Sequence, residues 1–253
     1  MNEISKERKK LLPEISCRTF ANAAISTRLQ FVPQRFIYSG LQTYYDIVNL
    51  VKDIRSGVHP FIEKDANIDL FGYSIGAFLS EIILMSNPEN LFTDSRLFIF
   101  CGGPTVDFMN PVSKSILDSE AFNAINQLLV HNFEKDITTD ERLKKFFELK
   151  TTEGIYFKSL LNYDKNNSLR ENRFKELKGQ IFNLSLTKDN VMPVEGVEKT
   201  LMSETKNAGV TSQVMDFKYP YSHETPFPLL EKYQKEIDKS YDLFIESACR
   251  FLN

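Results

Sequence analysis

The sequence predicts an α/β protein with a mostly parallel sheet covered by helices, and three observations predict it. Short apolar runs, DLFGY, RLFIFC and QIFNLSL, alternate with segments whose apolar residues recur at helical spacing. Strand alternating with helix is the pattern of βαβ units, whose connections place helices on both faces of a sheet. RLFIFC shows no polar alternation, which suits a strand buried on both faces.

Taken in order, residues 1–12 form a charged start with helical character, and residues 13–39 are mixed, with Pro13 and Pro33. Within them FVPQRFIYS predicts a short strand interrupted by its proline. From residue 41 to 54 the apolar positions Leu41, Tyr44, Tyr45, Val48, Val51 and Ile54 fall on one helical face. Gly57 follows where a C-terminal cap belongs. Residues 67–73 predict a strand, residues 75–85 an apolar helix closed by Asn87 and Pro88, and residues 96–101 a second strand ending at Gly102 and Gly103.

The next stretch differs in kind. Residues 107–178 are rich in Lys, Glu, Asn and Asp and carry helical periodicity in AFNAINQLLVHNF and ERLKKFFELK, so they predict a helical insertion. After Gly179, QIFNLSL predicts a strand, VEGVEKTLMSETKNAG a helix closed by Gly209, and SQVMDFKY another strand. Residues 229–252 predict a long amphipathic helix with Leu230, Tyr233, Ile237, Tyr241, Phe244, Ala248 and Phe251 on one face. The expected organisation is therefore a core in two parts, residues 1–106 and 179–253, with a cap or lid at 107–178.

Composition limits the function classes. The chain has 253 residues, 42% hydrophobic and 26% charged, enough for one sizeable core. A net charge of −3 argues against partners selected by bulk electrostatics, such as nucleic acid or an anionic membrane surface. Three widely spaced cysteines, Cys17, Cys101 and Cys249, suggest neither a disulfide framework nor a zinc site, so a reducing compartment is expected. The basic start has no apolar h-region after it, and no apolar run is long enough to span a bilayer, so the expectation is a cytoplasmic protein. No cofactor and no metal is expected, since no cluster of His and carboxylates has ligand spacing.

The chemistry lies in DLFGYSIGAF, residues 69–78. A Gly-x-Ser-x-Gly between a strand and a helix is a nucleophile elbow: the turn is too tight for side chains at the glycines, and the serine Oγ projects from the strand end. Gly72, Ser74 and Gly76 stand in that context, against the plainer reading of a glycine corner with an incidental serine. Such a serine needs a histidine to take its proton and a carboxylate to orient the histidine, following in the order Ser, acid, His. Of the three histidines, His59 precedes the serine and His131 lies inside the insertion, while His223 sits in PYSHETPFP directly after the last strand. Asp189, in LTKDNVMP after the strand QIFNLSL, is the preferred acid, with Asp107 as its rival one strand earlier. Glu224 is expected to be solvated, and Cys101 to be a core residue rather than a thiol nucleophile.

Elbow, acid loop and terminal histidine loop, in this order and separated by a helical insertion, resemble the α/β-hydrolase superfamily. Residues 36–100 look similar to a bacterial group within it that has no assigned substrate, and the resemblance covers residues 36–253. It implies a serine hydrolase for esters or related acyl compounds, with Ser74 as nucleophile, His223 as base, Asp189 as its orienting acid and the N–H of Ile75 in the oxyanion hole. It departs from the superfamily pattern at Leu186 and Ser222, where glycines are frequent. Upstream, the superfamily has several strands before the elbow strand and often a glycine pair that completes the oxyanion hole. No glycine pair precedes Gly72. The N-terminal part of the sheet is therefore expected to be missing, leaving about four parallel strands with the elbow strand at an edge through which copies of the chain could associate. The alternative function is a binding or interaction module on the same fold, weak or inactive as an enzyme.

Overall fold

The computed structural model describes residues 3–13, 19–202 and 209–253, so Cys17 and the end of the helix expected to close at Gly209 lie outside the described residues. Three helices come first: α1 (Glu3–Leu11), α2 (Phe20–Phe31) and α3 (Arg35–Ser56). Then follow β1 (Leu70–Tyr73), α4 (Ile75–Ser86) and β2 (Leu97–Phe100). Between β2 and the next strand lie α5 (Ser119–Asn126), α6 (Phe133–Asp136), α7 (Glu141–Glu148), α8 (Thr152–Ser159) and α9 (Asn167–Glu176). The chain closes with β3 (Ile181–Leu186), α10 (Val194–Met202), β4 (Thr211–Met215) and α11 (Gln234–Leu252). The class is α/β, as the sequence predicts.

The strand expected in FVPQRFIYS is not one. Phe31 ends α2, Pro33 sits in the turn, and Arg35 begins α3, which runs six residues upstream of the helix expected from residue 41. The β propensity of these residues loses to tertiary packing: Ile37 lies on the same helical face as Tyr44, Val48, Val51 and Ile54, and all five are buried. Pro33 is tolerated because it precedes the first turn, and its carbonyl accepts the Phe36 N–H at 3.0 Å. Gly57 ends α3 in the left-handed region at φ 77°, a conformation that costs glycine nothing. SQVMDFKY also yields a shorter strand than expected, ending at Met215, and α11 begins only at Gln234, after a short 3₁₀ turn at Glu231–Tyr233.

The sheet is parallel in the order β1-β2-β3-β4, with Leu70 opposite Leu97, Leu97 opposite Ile181, and Phe182 opposite Thr211. Among the described residues no strand precedes β1, so β1 stands at an edge of four, as expected. Alternation along the strands sorts the two cores. Leu97, Ile99 and Ile181 join α3, α4, α10 and the helices of the insertion in one apolar cluster. Phe98, Phe100, Leu184 and Leu186 join Phe217, Ile237 and Phe244 in a second, under α11. Each such side chain, fully buried, contributes about 1.5–3 kcal/mol. The insertion shares the first cluster through Leu128, Leu129, Phe157 and Phe174, so it packs on the sheet's own core.

Candidate active site

Ser74 lies between β1 and α4 with φ 56° and ψ −127°, a strained backbone conformation for a residue with a side chain. Gly72 makes the turn possible. A Cβ there would come within 2.6 Å of Ala77 Cα, so only glycine lets α4 pack this closely on β1. Gly76 is different, since a Cβ on it would meet nothing within 4 Å. The turn is fastened by two backbone bonds: Ser74 N–H donates to Phe100 O at 3.2 Å and Ala77 N–H to Ser74 O at 3.0 Å.

The structure brings Ser74, His223 and Asp189 together. His223 Nε2 is 2.7 Å from Ser74 Oγ, and His223 Nδ1 is 2.8 Å from Asp189 Oδ2. Asp189 and His223 are each 3% exposed, which removes the water that would compete for these bonds. Asp189 Oδ1 accepts the N–H groups of Val191 at 2.9 Å and Met192 at 2.8 Å, leaving Oδ2 for the imidazole. A carboxylate can only accept, so Nδ1 carries the proton and Nε2 presents its lone pair to the serine hydroxyl. The order of these contacts is what proton abstraction from Ser74 needs.

Asp107, the rival acid, is elsewhere. Its Oδ2 accepts the Tyr163 N–H at 3.0 Å, and it lies beside Arg170 in the insertion. His59 accepts the N–H groups of Phe61 and Ile62 in the loop after α3, and His131 pairs with Asn126 on the insertion surface. Glu224 is half-buried rather than solvated: burial pushes its carboxyl up, but hydrogen bonds from Ser113, from its own backbone N–H and from Ser222, with the nearby His223, together hold it below the ordinary value. Cys101 is fully buried beside Asp189; burial first, and then that carboxylate, push its thiol well above the ordinary range, so it stays protonated.

Two features had no signal in the sequence. Tyr73, read only as the variable residue of the elbow, stacks on the His223 ring with centroids 5.4 Å apart, and its hydroxyl donates to the His223 carbonyl. The second is a cavity of about 660 Å³ beside the elbow. Ile75 and Gly76 are among the residues that line it, with residues of α2 and α3 and with Glu153 and Phe157 of α8. Residues 13–39 read as mixed in the sequence; only folding reveals that Ile25, Arg28, Leu29 and residues 35–39 among them line a pocket beside Ser74.

A model for a family of unknown function, DUF6051, matches residues 1–253. The chain belongs to that family. No curated protein matches this DUF6051 chain. Among solved structures it is similar to a candidate lipase from Acinetobacter baumannii AYE, with 15% identity and a TM-score of 0.34, covering 79% of this chain and 69% of that one. A serine hydrolase from the polyaromatic hydrocarbon-degrading bacterium Cycloclasticus zankles is 13% identical with a TM-score of 0.32, covering 71% of this chain and 62% of that one. A mutant of the meta-cleavage product hydrolase CumD is 15% identical with a TM-score of 0.32, covering 71% of this chain and 65% of that one. Likeness at this level carries no argument about what the DUF6051 chain does, so its chemistry has to be argued from its own side chains.

Proposed function

We propose that the protein is a serine hydrolase acting on carboxylic esters or related acyl compounds. The observation that carries this reading is the continuous relay from Ser74 Oγ through His223 to Asp189, with contacts of 2.7 and 2.8 Å. In the first half-reaction Ser74 Oγ attacks the acyl carbon while its proton passes to His223 Nε2, and Asp189 stabilises the imidazolium. The carbonyl electron pair moves to oxygen, and the N–H of Ile75, in the first turn of α4, donates to that oxyanion. The ester C–O bond then breaks, His223 protonates the departing alkoxide, and the acyl group remains on Ser74. In the second half water gives its proton to His223 and attacks the acyl carbon, and Ser74 leaves with the proton returned. The sum is ester plus water to acid plus alcohol. The contribution of α8 to the cavity wall supports a role for the insertion as a lid that shapes the substrate and limits water.

One observation favours a second reading, a binding module with little or no turnover. No strand precedes β1 among the described residues, so the loop that supplies the second oxyanion donor in the superfamily has no counterpart there. Losing one such donor lowers turnover by about a hundred- to a thousandfold. A fluorophosphonate probe and p-nitrophenyl esters separate the readings. The hydrolase reading expects labelling at Ser74 and ester turnover, both absent in Ser74→Ala; equal labelling of parent and variant would sink it. Labelling of Ser74 without measurable turnover supports the second.

A further inference from the structure

The cavity beside the elbow is mostly apolar, with Leu29, Phe36, Phe78 and Ile82 among its walls, yet two arginines, Arg28 and Arg35, also line it. They stand close together in the chain, Arg28 in the last turn of α2 and Arg35 in the first residue of α3. Among the described residues neither forms an ion pair. Among the described residues the one acid in the lining is Glu153, which accepts the Tyr45 hydroxyl at 2.7 Å. Tyr38, also in the lining, gives its hydroxyl to Asp140 at 2.6 Å. The uncommitted charges facing the cavity are therefore both positive, and they belong to the α2–α3 corner, while the elbow residues Ile75 and Gly76 belong to α4.

We propose that this cavity takes an acyl chain that ends in a carboxylate, so that the preferred substrates are hemiesters of dicarboxylic acids. The proposal rests on the hydrolase reading for its reaction but not for its binding. The ester carbonyl lies at Ser74, the apolar chain runs along Phe78 and Leu29, and the terminal carboxylate meets Arg28 and Arg35. A volume of about 660 Å³ is ample for such a molecule. A guanidinium offers a carboxylate two parallel donors, which an apolar wall cannot, so the arginines choose between ligands of equal length by charge alone. Both arginines are exposed, and salt therefore weakens the choice.

The test compares mono-p-nitrophenyl octanedioate with its methyl-capped ester, which has the same chain and no charge. The expected kcat/KM favours the charged ester by about two- to fivefold at low ionic strength, given what an exposed ion pair contributes. The preference shrinks in 1 M salt, where the Debye length is roughly 3 Å. It disappears in the Arg28→Gln, Arg35→Gln double variant, which cleaves the two esters with equal kcat/KM. Equal kcat/KM for the two esters in the parent overturns the proposal, as does a preference that survives the double substitution. If neither ester is cleaved, calorimetry with monomethyl and dimethyl octanedioate decides. Tighter binding of the monomethyl ester, lost in the double variant, keeps the anion site while the hydrolase reading falls. Equal binding, or binding of neither, overturns the anion site itself.

Discussion

Ser74 and His223 are 149 positions apart and His223 and Asp189 are 34 apart, so their contacts exist only through the sheet that aligns the three loops. Asp189 holds the imidazole by accepting from Nδ1, and an amide in its place could present a donor to that nitrogen and favour the wrong tautomer. On the hydrolase reading, Asp189→Asn lowers kcat for p-nitrophenyl acetate by about ten-thousandfold with the circular dichroism spectrum unchanged. A loss of less than tenfold would remove Asp189 from the relay. Tyr73 packs against His223 itself. Tyr73→Phe keeps the ring that stacks on His223 and deletes the hydroxyl bond to its carbonyl. The expected cost is about 1 kcal/mol in urea unfolding, with a larger cost for Tyr73→Ala, which also loses the stack.

At the scale of elements, the two glycines of the elbow motif do different work. Gly72→Ala forces α4 away from β1, because the new methyl meets backbone at Ala77. Overpacking of that kind costs about 1–3 kcal/mol, and the displaced turn takes Ser74 with it. Gly76→Ala meets no atom, and alanine is the better helix former by up to about 1 kcal/mol, so this variant should be as stable as the parent or more so. Thermal melts of the pair check the contrast; equal destabilisation would show that Gly76 is constrained by something other than its neighbours. At the N-terminus, Arg8 of α1 reaches Asp118, the N-cap of α5, through Nε and through Nη2 at 2.8 Å. Both side chains are buried, at 5% and 0% exposure. Removing one partner strands a charge, so Arg8→Met should lose about 3–5 kcal/mol in urea unfolding. A loss below 1 kcal/mol would mean that water reaches Asp118 once the arginine is gone.

On the scale of the whole molecule, the elbow helix and the insertion meet at a buried acid. Glu81 of α4 is fully buried, and neither of its carboxylate oxygens has a partner among the described residues. Burial raises its pKa from 4.5 to about 8, against a smaller opposing pull from Arg170 of α9. The folded chain thus keeps a proton between pH 4.5 and about 8 that the unfolded chain releases. Stability from this group is complete below pH 4.5 and falls as pH rises to about 8, by up to about 1.4 kcal/mol per pH unit. Glu81→Gln removes that slope. Urea unfolding at pH 5, 6.5 and 8 should show the variant gaining on the parent as pH rises, and parallel profiles would mean that Glu81 is charged in the folded protein. Among the described residues no helix is long and apolar enough to cross a membrane.

The α/β class, the parallel strands, the run of helices between β2 and β3 and the glycine-flanked serine were all legible in the sequence, because each is written in local periodicity or in residues that few backbones tolerate. Asp189 and His223 were legible as candidates for the same reason: each follows a strand, and strand ends on one side of a parallel sheet converge. FVPQRFIYS misled because its residues favour a strand locally, while Ile37 gains more by burial on the helical face it shares with Tyr44 and Val48. Which acid meets the histidine, how Tyr73 steadies it, and that Arg28 and Arg35 face a cavity beside the elbow were decided only by tertiary structure. Those relations join residues far apart in the chain, and one sequence records no distance between its distant parts.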